Sequence, residues 1–309
     1  MNQLNSRTQN PSLSQDEGDT VLLQVENFDL KKTLESGQCF RWRKESDGSY
    51  TGVVNSRIIN ARQIHEKLLL FPATEADVRT LWIPYFDLDS DYSKMNRSIR
   101  NIAPWMSDPL NTGSGIRILK QDPWEITITF ILSANNNIAR ISGSVARLAE
   151  RYGPFLGTFQ SRSYYGFPSV EILQKLEIND WKALGAGYRA GYLHQAVARW
   201  EHFRREIEVL DEHDRDVSGW KIRSLLEELP GVGPKVSACI SLFGWGYLHQ
   251  FPVDVWISRI LPRLWPQAPG SNREMEEAAV DLFGDMAGYA QQLLFYYARH
   301  KKDAVISTE

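Results

Sequence analysis

Cysteine is nearly missing from this chain, with only Cys39 and Cys239 among 309 residues. Two thiols cannot make a disulfide framework or a cysteine-ligated metal cluster, and their scarcity suits a reducing cytoplasm. No apolar stretch approaches the length of a membrane span. The opening "MNQLNSRTQNPSLSQDEGDT" lacks an apolar core, so it reads as neither signal peptide nor anchor, and residues 1–18 are expected to form a flexible tail. Nor is there a surplus of positive charge: 35 Lys and Arg stand against 38 Asp and Glu, for a net charge of −3. Any footprint for a polyanion must therefore be local. A repeat of fixed period is absent as well, which excludes solenoids and propellers.

What the chain does have is an ordinary globular composition, 42% hydrophobic and 24% charged, over a length sufficient for two or three domains. The first ordered part reads as strands: "TVLLQVENFDL", "GQCFRWRKES", an Asp47-Gly48 turn, then "SYTGVVNSRIINARQI", a hairpin signal flanked by β-branched and aromatic residues. Helices follow over "TEADVRTLWIPYFDL", behind a Thr74 cap, and near "SKMNRSIRNIAPWM". The turn formers of "SDPLNTGSG", residues 107–115, mark a domain boundary. Beyond it the periodicity is helical almost throughout. "PWEITITFILSA" reads as a buried helix, and in "NNIARISGSVARLAERYG" Ile141, Val145 and Leu148 share a face until Gly153. Further helices are expected from Val170, from Asp180, over "YRAGYLHQAVARWEHFRRE", "WKIRSLLEEL" and "KVSACISLFGWG", from Asp254, and over "NREMEEAAVDLFG" and "AGYAQQLLFYYARHKK". The expected fold class is α+β: a β-rich domain over residues 19–112 and a larger all-α domain over 113–309.

One stretch of the helical part breaks a local rule. "LPGVGPKVSACI", residues 229–240, could open a dinucleotide fingerprint, but Val236 stands where the third glycine belongs and the preceding "IRSLLEEL" is helical. No Walker A sequence is present either. What remains is helix, tight Gly231-Val232-Gly233 turn, helix: a hairpin whose second helix begins with free N–H groups able to hold a phosphate. By itself the turn is as readily a plain helical corner. Pro234 suits the first helical position, which puts Lys235 in the opening turn, where the macrodipole disfavours a cation. Field and desolvation both favour the free amine, the nucleophilic form, so the misplaced lysine makes sense if it attacks carbon and forms a Schiff base. Its plain reading is a snorkelling surface lysine. In "FPVDVWISRI", Asp254 opens an amphipathic helix, with an N-cap as its plain reading. A carboxylate held rigidly and ionised there also suits a carbon that develops positive charge as a glycosidic bond breaks.

Taken together, "LPGVGPK", "FPVD", "QDPWEITITFILSANNNIARI", "GAGYRA", "SGQCFRWR" and "AGYAQQLLF" resemble the 8-oxoguanine DNA glycosylase family of the helix-hairpin-helix (HhH-GPD) superfamily, in the family's order from about residue 20 to about residue 300. The resemblance implies a TBP-like antiparallel sheet domain ahead of the helical glycosylase domain. It implies excision of 8-oxoguanine opposite cytosine from double-stranded DNA, with AP lyase cleavage by β-elimination. The expected protein is a monomer in the cytoplasm or nucleoid of a bacterium, or in a eukaryotic nucleus.

Residue by residue, Lys235 matches the family's lysine that attacks C1′, and Asp254 the aspartate that stabilises the sugar cation. Cys239, one turn after Lys235, matches a cysteine on one face of the flipped base, while Phe295 matches the ring on the other face and Gln291 the reader of the Watson–Crick edge. Gly37 matches a glycine whose carbonyl accepts from N7–H, a donor that 8-oxoguanine has and guanine lacks; its plain reading is a helix C-cap after "LKKTLES". Asn135, Arg140 and Arg189 match residues gripping the orphaned cytosine, and Tyr188 matches a wedge; an asparagine cap and solvated arginines are the plain readings. Gly231, Val232 and Gly233 would offer N–H groups to a phosphate. By family analogy, the carbonyls of Glu227, Leu229 and Val232 are candidates for a monovalent cation, K+ or Na+, with no organic cofactor and no iron–sulfur cluster expected. Pro234, where many relatives have a hydroxyl residue, and Trp256, where animal relatives have histidine, bear on phosphate contacts rather than on the chemistry. Two alternatives stay open: a hairpin DNA-binding protein without chemistry, and a glycosylase for another damaged base.

Overall fold

Five antiparallel strands, in the order β1-β5-β4-β3-β2, make the N-terminal sheet: β1 Val21–Gln24, β2 Trp42–Lys44, β3 Tyr50–Val54, β4 Arg57–Ile64 and β5 Lys67–Phe71. The computed structural model describes residues 19–211 and 215–301, so the tail expected over 1–18 lies outside the described residues. The Asp47-Gly48 turn joins β2 to β3 as expected, with Gly48 at φ +84°. "SYTGVVNSRIINARQI" is not one strand: it folds back at Asn55 and Ser56, whose φ values of +47° and +59° make the primed type of turn that suits a tight hairpin. "KLLLF" adds β5, a strand absent from the sequence reading. Gly52 pairs with Trp42, and a Cβ there would lie 2.5 Å from the indole, so only glycine allows this close approach.

Between β1 and β2 the chain forms α1, Leu30–Glu35. The inner face of the sheet, including Ile59, Ala61, Leu68 and Leu70, is buried against Trp82, Tyr85 and Phe86. Trp82 comes from a π turn over Val78–Trp82, and Tyr85 and Phe86 from α3 Ile83–Phe86; both follow α2 Glu75–Asp77, which is opened by the expected Thr74 cap in a reciprocal box with Asp77. Next come α4 Tyr92–Ile102 and α5 Ser107–Thr112. The latter lies in "SDPLNTGSG", the stretch of turn formers: its first six residues are helical, with Leu110 buried. Packing overrides turn propensity here. After α5 the chain returns to the sheet domain, where Leu119 joins the core and Arg117 donates to the carbonyls of Glu26, Asp87 and Ser90.

The helical part runs through α6 Pro123–Ser133, α7 Ile138–Tyr152, α8 Val170–Leu173, α9 Ile178–Ala183, α10 Ala190–Asp211, α11 Arg215–Glu227, α12 Pro234–Ile240, α13 Val255–Leu264, α14 Asn272–Phe283 and α15 Ala287–His300. It is not wholly helical. β6 Phe155–Phe159 and β7 Arg162–Tyr165 form an antiparallel hairpin that packs near β4. Its turn residues, Gln160 and Ser161 at φ +46° and +61°, adopt a primed turn without the usual Asn or Gly, so no turn signal announced it. α6 is buried on every side from Ile126 to Leu132, and α12 and α15 lie in the same core. That core brings the starts of α12 and α13 to one cavity.

Candidate active site

The hairpin forms as its glycines suggest. Gly231 has φ +84°, and a Cβ on it would lie 2.6 Å from the Tyr192 ring, so the turn is closed to larger residues on two counts. Gly233 is exposed and caps α12 through its backbone alone, and Pro234 opens the helix. Lys235 therefore sits in the first turn, half-buried, with Nζ 5.4 Å from the centroid of Phe130. The aromatic face offers a cation its quadrupole where the helix start does not.

Asp254 caps α13, accepting from the backbone N–H groups of Trp256 at 3.0 Å and Ile257 at 2.9 Å. The capping reading and the functional one thus hold together. Burial pushes this carboxyl above its ordinary range, while the N–H groups of Ile257 and Trp256 and the nearby Lys235 pull it back toward the charged form. The N-cap position foretells only the second effect; the burial comes from the fold. Lys235 and Asp254 share a cavity of about 800 Å³ with Gly37, Asn135, Phe295 and Arg299 on its wall.

Gly37 follows the C-cap Ser36 of α1 with φ +87°, which bears out its reading as a helix-terminating glycine. Its carbonyl accepts no hydrogen bond among the described residues. The residues on either side are pinned: Gln38 donates through Nε2 to the Arg117 carbonyl at 2.8 Å and accepts from Leu119 N at 2.8 Å, and Gln292 of α15 donates to the Ser36 carbonyl at 2.9 Å. A turn so held presents one free acceptor in a fixed direction. The Phe295 ring lies against it, with Cε1 3.1 Å from where a Gly37 Cβ would be.

Two expected members do not reach the cavity lining. Cys239 is buried and outside it; burial pushes the thiol above its ordinary value, with Lys235 opposing the shift. Gln291 is buried too, donating to the Pro252 carbonyl at 3.0 Å while its own Oε1 has no partner among the described residues. An unmatched buried acceptor costs free energy unless something else satisfies it.

Asn135, Arg140 and Arg189 meet around a second recess of about 570 Å³. Asn135 and Arg140 are exposed, but Arg189 is buried and donates to the carbonyls of Ala134 at 2.6 Å, Asn135 at 2.8 Å and Ala186 at 3.3 Å. It builds the turn that carries Asn135, which has φ +49°. The asparagine that caps α7 is Asn137, accepting from Arg140 N at 3.0 Å. Tyr188 stands 60% exposed, stacked over the Arg189 guanidinium at 4.4 Å, as a wedge requires.

Sequence reasoning missed Arg223. In "WKIRSLLEEL" it passes for a solvated residue, yet it is buried and ion-paired with Glu276 of α14, one N–O contact being 2.9 Å. Burial opposes its charge, and Glu276 together with Glu227, 3.2 Å away on the same helix, more than restores it. It also donates to Ser237 Oγ and to the Pro234 carbonyl, both at 3.3 Å, so it ties the start of α12 to α14. Nothing local in the sequence signals a partner so distant in the chain.

A profile of the 8-oxoguanine DNA glycosylase N-terminal domain matches residues 20–127, and one of HhH-GPD superfamily base excision DNA repair proteins matches residues 128–284. The chain belongs to the HhH-GPD superfamily of base excision DNA repair proteins and carries the N-terminal domain of its 8-oxoguanine DNA glycosylases. It is 33% identical to the probable N-glycosylase/DNA lyase of Methanothermobacter thermautotrophicus, over 89% of this chain and 95% of that one. It is 30% identical to the N-glycosylase/DNA lyase OGG1 of Arabidopsis thaliana, over 86% of this chain and 76% of the other. The crystal structure of Clostridium acetobutylicum 8-oxoguanine glycosylase/lyase, bound to double-stranded DNA with cytosine opposite 8-oxoG, superposes with a TM-score of 0.86 at 32% identity, covering 94% of this chain and 98% of that chain. Among the described residues no helix is long and apolar enough to cross a membrane, and no group of three or more His, Cys, Asp and Glu side chains is placed to hold a metal ion.

Proposed function

We propose that this protein is a bifunctional DNA glycosylase and AP lyase that removes 8-oxoguanine opposite cytosine from duplex DNA. The observation that carries the reading is the shared cavity lined by Lys235, Asp254, Phe295 and Gly37, whose carbonyl has no donor among the described residues. Extruding a base from the duplex costs a few kcal/mol; Tyr188 fills the gap and Asn135, Arg140 and Arg189 meet the orphaned cytosine, Arg189 through the donors left over from the turn it builds. The extruded base enters beside Phe295, where N7–H donates to the Gly37 carbonyl. Guanine would set lone pair against lone pair there. Gln291, with its unpaired Oε1, and Cys239 complete the base pocket once the base opens it.

Lys235 then attacks C1′ as the free amine. The N-glycosidic bond breaks, its electron pair leaves with the base, and the charged Asp254 stabilises the positive charge spread over C1′ and the ring oxygen. Ring opening gives the Schiff base. Loss of a C2′ proton expels the 3′ phosphate by β-elimination, and water hydrolyses the imine to free the enzyme. The N–H groups of Gly231 and Gly233, which have no acceptor among the described residues, hold a neighbouring backbone phosphate at the start of α12, whereas that of Val232 is taken by the Leu229 carbonyl.

A monovalent cation, K+ or Na+, fits the same hairpin. The Leu229 carbonyl accepts one hydrogen bond, from Val232 N at 3.0 Å, and those of Glu227 and Val232 accept none among the described residues, leaving lone pairs for an ion. Replacing K+ and Na+ by choline at constant ionic strength should lower the melting temperature; an unchanged value removes the ion.

The test of the function is excision from duplexes carrying 8-oxoguanine opposite each of the four bases, with and without borohydride. The reading predicts base release and a trapped protein–DNA adduct with cytosine opposite. Release of another damaged base alone, or binding without release, contradicts it.

A further inference from the structure

The lesion slot has a clamp that the reading above does not use. Phe295 and Arg299 lie one turn apart on α15, and the Arg299 guanidinium carbon is 5.5 Å from the Phe295 ring centroid. Its Nη1 donates to the Glu35 carbonyl at 3.4 Å and lies 3.3 Å from where a Cβ on Gly37 would be. Both side chains line the cavity that holds Lys235 and Asp254. Glu35 is the last residue of α1, so its carbonyl is among those a helix end leaves without an internal partner, and a cation there complements the dipole.

The same helix supplies Gln292 to the next carbonyl, Ser36. Thus α15 holds the two carbonyls just before Gly37 and, three residues beyond Gln292, presents the ring that faces the turn. Phe295 and Gly37 come from different domains, and without a tie between them the gap could widen. Arg299 is suited to this because a planar guanidinium can lie on a ring and point a donor sideways, which an ammonium cannot.

We propose that Arg299 is a positioning residue for lesion recognition, fixing the width of the slot between the Phe295 ring and the Gly37 turn. The inference rests on the glycosylase reading of the cavity. In a wider slot water can solvate the Gly37 carbonyl, so 8-oxoguanine loses a favourable hydrogen bond and guanine loses a penalty. Base excision and its selectivity should both fall. Cleavage of a preformed abasic site needs no base in the slot and should be retained.

The experiment compares wild type, Arg299→Met and Arg299→Lys in single-turnover excision of 8-oxoguanine opposite cytosine, and in strand cleavage at a preformed abasic site. For Arg299→Met the excision rate should fall by about tenfold or more, since small misplacements of a bound group are costly. Abasic-site cleavage should stay within about twofold of wild type, because Asp254 is anchored by the Trp256 and Ile257 N–H groups and not by Arg299. Arg299→Lys keeps a donor without the planar stack and should fall between the two. Unchanged excision in Arg299→Met overturns the proposal, as does a parallel fall of both reactions, which would mark a general structural role. A wild-type protein that cleaves abasic sites but releases no 8-oxoguanine overturns the glycosylase reading, and the proposal with it.

Discussion

Lys235 and Asp254 reach the cavity from the first turns of two neighbouring helices, whereas Gly37 and Phe295 reach it from opposite ends of the chain. The wall that does the chemistry is set by local rules: a proline at the first helical position, a carboxylate at an N-cap. The wall that reads the base exists only when the sheet domain and α15 are packed together, through Gln292, Arg299 and the pinned turn at Gly37. Reactivity can thus be located from short motifs. Selectivity belongs to the tertiary structure.

If that division is right, changes on the first wall should abolish the reaction and leave the fold intact. Asp254→Asn keeps the cap and removes the charge, so excision should fall by about a hundredfold to a thousandfold. Its effect on stability has a definite sign. Because burial raises the Asp254 carboxyl, charging it is harder in the folded protein than in the unfolded chain, a cost present above the unfolded value and absent below it. Asp254→Asn should therefore raise the melting temperature at pH 7, with the gain vanishing as pH falls below the ordinary aspartate range. A lower melting temperature at pH 7 would contradict this. For the same reason the acid limb of the wild-type rate profile should lie above that range.

Arg223→Met tests the support behind the first wall. Leaving Glu276 buried without its partner should cost about 3–5 kcal/mol in a denaturant titration, and adding Glu276→Met should recover most of the loss. A single variant as stable as wild type would show that the pair does not hold α12. On the second wall, Gly37→Ala forces a residue with a Cβ into φ +87°, at about 1–2 kcal/mol, and puts the methyl 3.1 Å from both Ile138 and Phe295. Excision should drop by about tenfold or more, in line with the cost of small misplacements in a reacting complex. Cleavage at a preformed abasic site should persist. Equal loss of both reactions would join the two walls into one. The smallest effect is expected of Tyr188→Ala: the side chain is 60% exposed, so the melting temperature should not move, while excision slows a few-fold from the lost wedge.

Much of this architecture could be read before the fold was in view. Pro234 opens α12, Asp254 caps α13, Thr74 caps α2 and Gly37 ends α1, because caps and turn glycines act over a few residues. The β6–β7 hairpin could not, since Gln160 and Ser161 carry no turn signal, and α5 could not, since it is stabilised by burial of Leu110 rather than by propensity. On the site, Lys235 stood out through a local conflict of charge and helix end. Gln291, Phe295 and Asn135 had no such conflict and were named only through resemblance to a family, while Arg223 and Arg299, whose cross-chain partners Glu276 and Glu35 are distant in sequence, had neither signal.

The central claim is that one amine, at the start of α12, attacks the sugar. It is tested most directly by reducing the reaction with borohydride on an 8-oxoguanine·cytosine duplex, digesting the adduct and locating the modified residue by mass spectrometry. The account predicts the deoxyribose remnant on Lys235 and no adduct from Lys235→Gln. An adduct on another lysine or on the N-terminal amine, or an undiminished yield from Lys235→Gln, would contradict it.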